Sequence, residues 1–149
     1  MHKILLPTDG SESSLKAAEY TVELMKLLPD MEVTIFTVED TQVAGEVVIN
    51  RTKEVFDQAG LAVKTEVYKG QHVGESFVYY ASAVKAGISV DEVGDIIAGF
   101  ANHGDYDGII IGRRGINLIQ NIFLGSVSEK VIKSARCAVT VVPRKYKKA

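Results

Sequence analysis

Short runs of β-branched and apolar residues alternate in this chain with longer stretches whose apolar residues recur at helical spacing. Five such runs cover residues 3–8, 32–39, 61–68, 108–112 and 138–143. Runs this short and this rich in valine and isoleucine are typical of buried strands. Because helical patterns separate consecutive runs, the strands are expected to run parallel, with helices on both faces of the sheet. The sequence therefore predicts an α/β fold with a doubly wound, five-stranded parallel sheet.

Four helical patterns lie between the predicted strands, and each has one apolar face. Pro29 ends the first pattern, and Gly60 is placed to end the second, which covers residues 44–59. The third and fourth patterns cover residues 90–102 and 127–135. The predicted buried faces are, in chain order, Leu15, Ala18, Val22, Met25 and Leu28; Val48, Val55 and Ala59; Val93, Ile97 and Phe100; and Val127, Val131 and Ala135.

One segment, residues 71–89, does not fit this alternation. Within it, Val73, Phe77, Tyr80 and Val84 share one helical face. A helix whose apolar face packs against the domain or against a partner explains this spacing better than a ligand-binding segment does. We therefore expect an extra helix near residues 71–89, outside the functional site.

The length, net charge and cysteine count of the chain exclude several kinds of protein. The chain has 149 residues, which suits a single domain over residues 1–149. Its net charge of −2 provides no electrostatic basis for binding nucleic acid or an anionic membrane. The single cysteine is typical of a reducing compartment, and the apolar runs are too short for a signal peptide or a membrane span. We expect a cytoplasmic protein that binds neither nucleic acid nor membrane.

Three glycines lie between the fourth predicted strand and the last predicted helix, in "IIIGRRGINLIQNIFLGSVSEK", residues 109–130. Gly112 and Gly115 allow the chain to turn sharply and bring its N–H groups close to a ligand. Gly125 comes directly before the helix. Their placement favours a ligand-binding loop over glycines that serve turns alone.

The residues around these glycines indicate that the ligand carries phosphate. Ser126 and Glu129 have the spacing of a capping box, which marks a helix start. The exposed amides of a helix N-terminus bind phosphate readily. Arg113 and Arg114 add positive charge to the same loop, either for phosphate contact or as solvated side chains. The segment is therefore interpreted as a phosphate-binding loop.

Asp9 lies at the carboxyl end of the first predicted strand, and Gly112 lies at the carboxyl end of the fourth. In a doubly wound sheet, ligands bind outside the carboxyl ends of the strands where the strand order reverses. If the first and fourth strands are neighbours, Asp9 and Gly112 face one crevice, and Asp9 contacts nucleotide or a metal-bound water. The other interpretation of Asp9 is an acidic residue at a helix start, which needs no ligand. Ser11 is interpreted as a helix N-cap rather than a nucleophile.

These residues carry a resemblance to a known family. "KILLPTDGSESSLKAAEYTVELMK", "VTIFTVED", and "GIIIGRRG" with "LGSVSEKVIKSARCAVTVVP" resemble segments of the universal stress proteins. ATP-binding members of that family have the motif G-x2-G-x9-G-[ST], which Gly112, Gly115, Gly125 and Ser126 match without a gap. The resemblance covers nearly the whole chain. It implies the strand order 3-2-1-4-5, in which the first and fourth strands are neighbours.

The resemblance also implies a ligand, an assembly and a set of contacts. ATP is the implied ligand, with Mg or Mn beside its phosphates, and a homodimer is implied through the last strand, residues 138–143. The adenine side of the implied site consists of Pro7, Thr8, Asp9 and Val38. The ribose and phosphate side consists of Ile111, Gly112, Gly115, Gly125, Ser126 and Val127, with Arg113 and Arg114 as further candidates.

The predicted function is an ATP-binding sensor or switch module of the stress response that acts as a homodimer on a protein partner. At most slow ATP hydrolysis is expected, because no base and nucleophile stand out in the sequence. His72 and His103 lack metal-ligand spacing, so neither a catalytic residue nor a protein metal ligand is predicted. Two alternatives stay open: a stress protein that acts through its surface without nucleotide, and an ATP-using enzyme such as a hydrolase or nucleotidyl transferase.

Overall fold

The structure, a computed structural model, describes residues 2–39, 44–69, 93–113 and 126–147. The strands in these ranges are β1 (His2–Pro7), β2 (Met31–Glu39), β3 (Lys64–Lys69), β4 (Gly108–Gly112) and β5 (Ala138–Val142). The helices are α1 (Glu12–Leu27), α2 (Gly45–Gln58), α3 (Val93–His103) and α4 (Ser126–Ser134). The extra helix predicted near residues 71–89 lies outside the described residues. None of these four helices is long and apolar enough to cross a membrane.

The strands form one parallel sheet in the order β3-β2-β1-β4-β5. Ile4 in the central strand β1 is paired with Val33 of β2 on one side and with Gly108 of β4 on the other. This confirms both the doubly wound parallel sheet and the order 3-2-1-4-5. Because the strand order reverses at β1 and β4, the carboxyl ends of these two strands border one crevice.

Each face of the sheet has its own hydrophobic core. Leu6 and Ile35 belong to the first core, which α1 and α2 cover. Leu5 and Phe36, their neighbours in sequence, belong to the second core, beneath α3 and α4. Successive side chains of a strand point to opposite faces, and here both faces are covered. This explains why β1, β2 and β4 are largely apolar runs, whereas the edge strands β3 and β5 carry exposed residues between inward-facing ones.

The predicted buried face of α1 is correct in its middle and wrong at its end. Ala18, Val22 and Met25 are buried in the first core, and Leu15 is half-buried. Leu28 is 40% exposed. It caps the helix with φ −124° and ψ 82°, so its side chain has left the helical face.

The predicted buried face of α2 is only partly correct. The predicted residues are half-buried or exposed. Thr52 is buried although it is polar, because its hydroxyl lies 2.7 Å from the Thr8 hydroxyl and forms a hydrogen bond with it. An apolar pattern cannot reveal such a residue, so the predicted face lies beside the buried face instead of coinciding with it. The buried face consists of Ile49, Thr52 and Phe56. Of the predicted residues, Val55 packs at the margin of the first core, Val48 is half-buried and Ala59 is exposed.

Gly60 ends α2 as predicted. Its φ of +71° lies in the left-handed region, which glycine adopts without strain. The Gly60 N–H donates to the Asp57 carbonyl and the Leu61 N–H to the Phe56 carbonyl, both at 3.0 Å. This pair of bonds is the Schellman helix end. Leu61 is therefore part of the helix end, and β3 begins at Lys64 rather than at residue 61.

Candidate functional site

A cavity of about 160 Å³ lies at the carboxyl ends of β1 and β4, beside the first turns of α1 and α4. This is the position at which doubly wound sheets bind ligands. Strands β1, β2 and β4 supply part of the wall, and helices α1, α3 and α4 supply the rest. The described residues that line it are Pro7, Thr8, Asp9, Ser11, Ser13, Ser14, Phe36, Val38, Val93, Ile97, Ile111, Gly112, Val127 and Ser128.

The structure brings most of the described candidate residues together around this cavity. Arg113 directly follows β4 but does not line the cavity, and Ser126 is the first residue of α4. Arg114, Gly115 and Gly125 lie outside the described residues. The candidates that do line the cavity are Pro7, Thr8, Asp9, Val38, Ile111, Gly112 and Val127.

Half of the lining was not foreseen from the sequence. The sequence could have indicated the serines at the start of α1, since "SESS" directly follows Asp9 and Gly10. It gave no such indication for Phe36, Val93 and Ile97, because apolar residues that face a cavity have the same spacing as those that face a core. The unforeseen lining residues are Ser11, Ser13, Ser14, Phe36, Val93, Ile97 and Ser128.

Asp9 stabilises the junction between β1 and α1. Its Oδ1 accepts a hydrogen bond from the Ser11 N–H at 2.9 Å and another from the Ser14 hydroxyl at 2.8 Å. Ser11 in turn caps α1, because its side chain accepts from the Ser14 N–H at 3.3 Å. The N-cap prediction for Ser11 is thereby confirmed. Asp9 has a structural role here, and its exposed carboxylate also borders the cavity.

Thr8 is buried and stabilises the same junction between β1 and α1 through its hydrogen bonds. Its hydroxyl accepts from the Gly10 N–H at 3.1 Å and also pairs with Thr52 of α2. Its carbonyl accepts from the Thr37 hydroxyl at 2.7 Å. Gly10 itself has a φ of +78°, which allows the tight turn out of β1. Thr8 therefore holds the turn in place from two neighbouring elements.

Gly112 is required by close packing between α1 and the end of β4. A Cβ atom on Gly112 would lie 2.7 Å from the carbonyl carbon of Ser13 and 2.9 Å from its Oγ. Real Cβ atoms essentially never approach backbone so closely. The sequence predicts that this glycine lets the chain turn toward a ligand. The described geometry adds a reason that needs no ligand, because only glycine leaves room for the first turn of α1.

The cavity combines an apolar wall with polar groups from two helix starts. Phe36 stacks on Phe100 behind the wall, with ring centroids 4.4 Å apart. Val38 and Ile97 extend the apolar surface, and Ser11, Ser13 and Ser14 add hydroxyl groups to the lining. An apolar wall of this kind suits a flat ring such as a nucleobase. The hydroxyl groups suit a ligand with hydrogen-bonding groups.

The described lining offers hydroxyl groups and one carboxylate as its chemically reactive side chains. No histidine, cysteine or lysine is among the lining residues, and Asp9 is the only carboxylate. Cys137 lies outside the lining, and burial raises the pKa of its thiol, which disfavours the reactive thiolate. Within residues 2–39, 44–69, 93–113 and 126–147, no three potential metal ligands cluster.

A parallel sheet with this strand order and with helices on both faces defines the doubly wound class of α/β domains. Comparison with known proteins identifies the family. The model of the universal stress protein family matches residues 1–143. The chain therefore belongs to the universal stress protein family.

Relatives and solved structures agree with this assignment. Universal stress protein MJ0577 of Methanocaldococcus jannaschii is 31% identical, over 96% of this chain and 95% of its own. Its solved structure has a TM-score of 0.67 at 28% identity, with 97% of both chains covered. Universal stress protein MJ0531 of the same organism is 28% identical over 97% of this chain and 84% of its own. A crystal structure of a universal stress protein in complex with cAMP has a TM-score of 0.68 at 19% identity, over 97% of this chain and 98% of its own.

Proposed function

We propose that this protein binds ATP in the cavity between β1 and β4 and acts as a nucleotide-dependent sensor or switch in the stress response. The observation that carries the proposal is the cavity itself, which lies at the switch point of the sheet and is lined by both apolar side chains and polar groups. The G-x2-G-x9-G-[ST] spacing of the sequence supports a triphosphate ligand. The fold is shared with a universal stress protein that was crystallised with cAMP, which supports an adenine nucleotide.

In this proposal the two sides of the cavity bind different parts of the nucleotide. The adenine ring lies against the wall formed by Phe36, Val38 and Ile97, where burial of a flat apolar surface is favourable. The phosphates lie toward Gly112 and the start of α4, where unpaired amides and the helix dipole attract anions. Gly115, Gly125 and Ser126 are proposed to contribute to the same phosphate side on the basis of the motif alone.

The residues present also fit a divalent ion that accompanies the phosphates. Asp9 is the one carboxylate in the described lining, and a single hard oxygen ligand is typical of Mg²⁺ sites that use substrate phosphates for the rest. When bound, Mg²⁺ or Mn²⁺ would neutralise phosphate charge. Asp9 would hold the ion through its carboxylate, which the Ser11 N–H and the Ser14 hydroxyl orient.

The proposed function is tested by identifying the nucleotide that the purified protein carries and by measuring its affinity for ATP. Protein purified without added nucleotide is denatured, and the supernatant is analysed for ATP by chromatography. The emptied protein is then titrated with ATP, and product release is followed over many turnovers. Failure to bind ATP would favour a stress protein that acts through its surface. Rapid multiple turnover would favour an enzyme.

The single cysteine is consistent with the cytoplasm as the proposed location.

Replacing Arg113 and Arg114 together by alanine is expected to weaken ATP binding about tenfold or more, because a charge-assisted contact contributes roughly 1.5–3 kcal/mol. AMP binding should fall less, since AMP lacks the outer phosphates. Calorimetric titration of both nucleotides measures the difference. Replacing Lys26 and Arg136 by alanine is the control, because it removes the same charge at the opposite end of the sheet. Equal losses for ATP and AMP would place the arginines outside the phosphate site.

We also propose a homodimer through β5, which is an edge strand of the sheet in the single chain. The other edge strand, β3, exposes the charged residues Lys64 and Glu66, which discourage strand pairing. In β5 the exposed residues are Ala138 and Thr140, whereas Val139 packs against the second core. The edge of β5 is therefore the less protected of the two.

Replacing Thr140 by lysine is expected to convert a micromolar dimer into a monomer, because two such charges would meet at the edge-to-edge interface. Sedimentation velocity measures the assembly. The matched control is Thr65→Lys, which adds the same exposed charge to β3 and should leave the dimer intact. A wild-type protein that sediments as a monomer at micromolar concentration would contradict the proposed assembly.

A further inference from the structure

Two carbonyl groups at the end of β4 are each bound by a serine from a different helix. The Ser128 hydroxyl of α4 donates to the Gly112 carbonyl at 3.1 Å. The Ser13 hydroxyl of α1 donates to the Arg113 carbonyl. The Arg113 N–H donates in turn to the Val142 carbonyl of β5 at 2.9 Å. The start of the glycine motif is thus held by α1, α4 and β5 together.

Ser128 is placed to act through the backbone rather than on a ligand. The residue is only 1% exposed although it borders the cavity, and its hydroxyl is engaged by Gly112. Ser13 is half-buried, and its own backbone packs against Gly112. The two serines therefore act on consecutive residues of one tightly packed junction.

We propose that Ser13 and Ser128 are positioning residues for the phosphate side of the nucleotide site, a role that rests on the proposed function. A carbonyl oxygen carries partial negative charge, and one that is free to face the cavity would repel a polyphosphate. By accepting hydrogen bonds from the two helices, the Gly112 and Arg113 carbonyls are kept bound to hydroxyl donors. The effect of the serines should therefore increase with the number of phosphates on the ligand.

The test compares ATP with adenosine, which has the same base and ribose but no phosphate. In calorimetric titrations, Ser128→Ala is expected to bind ATP at least fivefold more weakly than the wild type and adenosine within twofold of it. Ser13→Ala should show the same split, and Ser13→Thr, which keeps the hydroxyl, should restore ATP binding. Ser13 is half-buried, so changes there disturb packing less than at Ser128. The Ser13 variants therefore still test the proposal if Ser128→Ala does not fold.

Ser134→Ala is the matched control for loosening of α4. Its hydroxyl donates to Asp95 of α3 at 3.1 Å, and Ser134 does not line the cavity. ATP affinity of this variant should stay within twofold of the wild type. A loss as large as that of Ser128→Ala would show a general structural effect and overturn the positioning role, as would equal losses for ATP and adenosine.

A measurement without nucleotide checks the hydrogen bonds themselves. The carbonyl ¹³C chemical shift of Gly112 is expected to move in Ser128→Ala, and that of Arg113 in Ser13→Ala; unchanged shifts would overturn the proposal. A wild type that binds neither ligand would overturn the proposed function and this role with it. A wild type that binds ATP, with Ser128→Ala binding it equally well, would overturn the positioning role alone.

Discussion

Replacing Gly112 by alanine is expected to destabilise the folded protein by about 3 kcal/mol, near the upper end of the cost of overpacking a closely packed site. The added Cβ would meet the backbone of Ser13, and backbone in a helix cannot move aside as the end of a side chain can. The first turn of α1 would have to move away from β4, and the Ser13–Arg113 hydrogen bond would be lost with it. ATP affinity should therefore fall in the same variant. Urea unfolding and calorimetric titration measure the two effects.

Gly108→Ala is the matched control, because Gly108 begins the same strand. There the added Cβ would lie 3.1 Å from Cδ1 of Ile4, the flexible end of a side chain. A small movement of that methyl group relieves the contact, so we expect a loss of less than about 1 kcal/mol. Equal losses at the two glycines would show that α1 adapts to the extra atom, and the packing explanation for Gly112 would fail.

Replacing Phe56 by alanine is expected to lower the free energy of unfolding by about 3–5 kcal/mol, the range for large-to-small changes of buried aromatic residues. Phe56 is fully buried in the first core. A loss of this size is a large part of the roughly 5–15 kcal/mol that stabilises an ordinary domain. Phe56 does not line the cavity, so the variant that still folds at low temperature should bind ATP as the wild type does. Urea unfolding measures the stability.

The control lies on the same helix. Val47 is 60% exposed, and Val47→Ala should change stability by no more than about 0.5 kcal/mol. This pair of variants decides which face of α2 packs on the sheet. A larger loss for Val47→Ala than for Phe56→Ala would contradict the observed orientation of the helix.

The structure separates two roles that the sequence pattern combined in the glycine motif. Gly112 is explained by packing against Ser13, whether or not a ligand is present. Gly115 and Gly125 lie outside the described residues, and their proposed contact with phosphate rests on the motif. The sequence alone cannot make this distinction, because the same residue type serves both roles. Only the neighbour of each glycine in space tells them apart.

The sequence by itself determined the kind and order of the described elements, the parallel sheet and the end of the sheet at which the cavity lies. These follow from local physics: β-branched runs form strands, helical spacing forms helices, and connections through helices make the strands parallel. The order of the strands came from the family resemblance. Tertiary structure alone decided which face of α2 is buried, why Gly112 must be glycine, and that Ser13 and Ser128 bind the end of β4. Each of these depends on groups that are distant in sequence, such as Thr8 with Thr52 or Ser13 with Arg113, and no local pattern records which distant groups will meet.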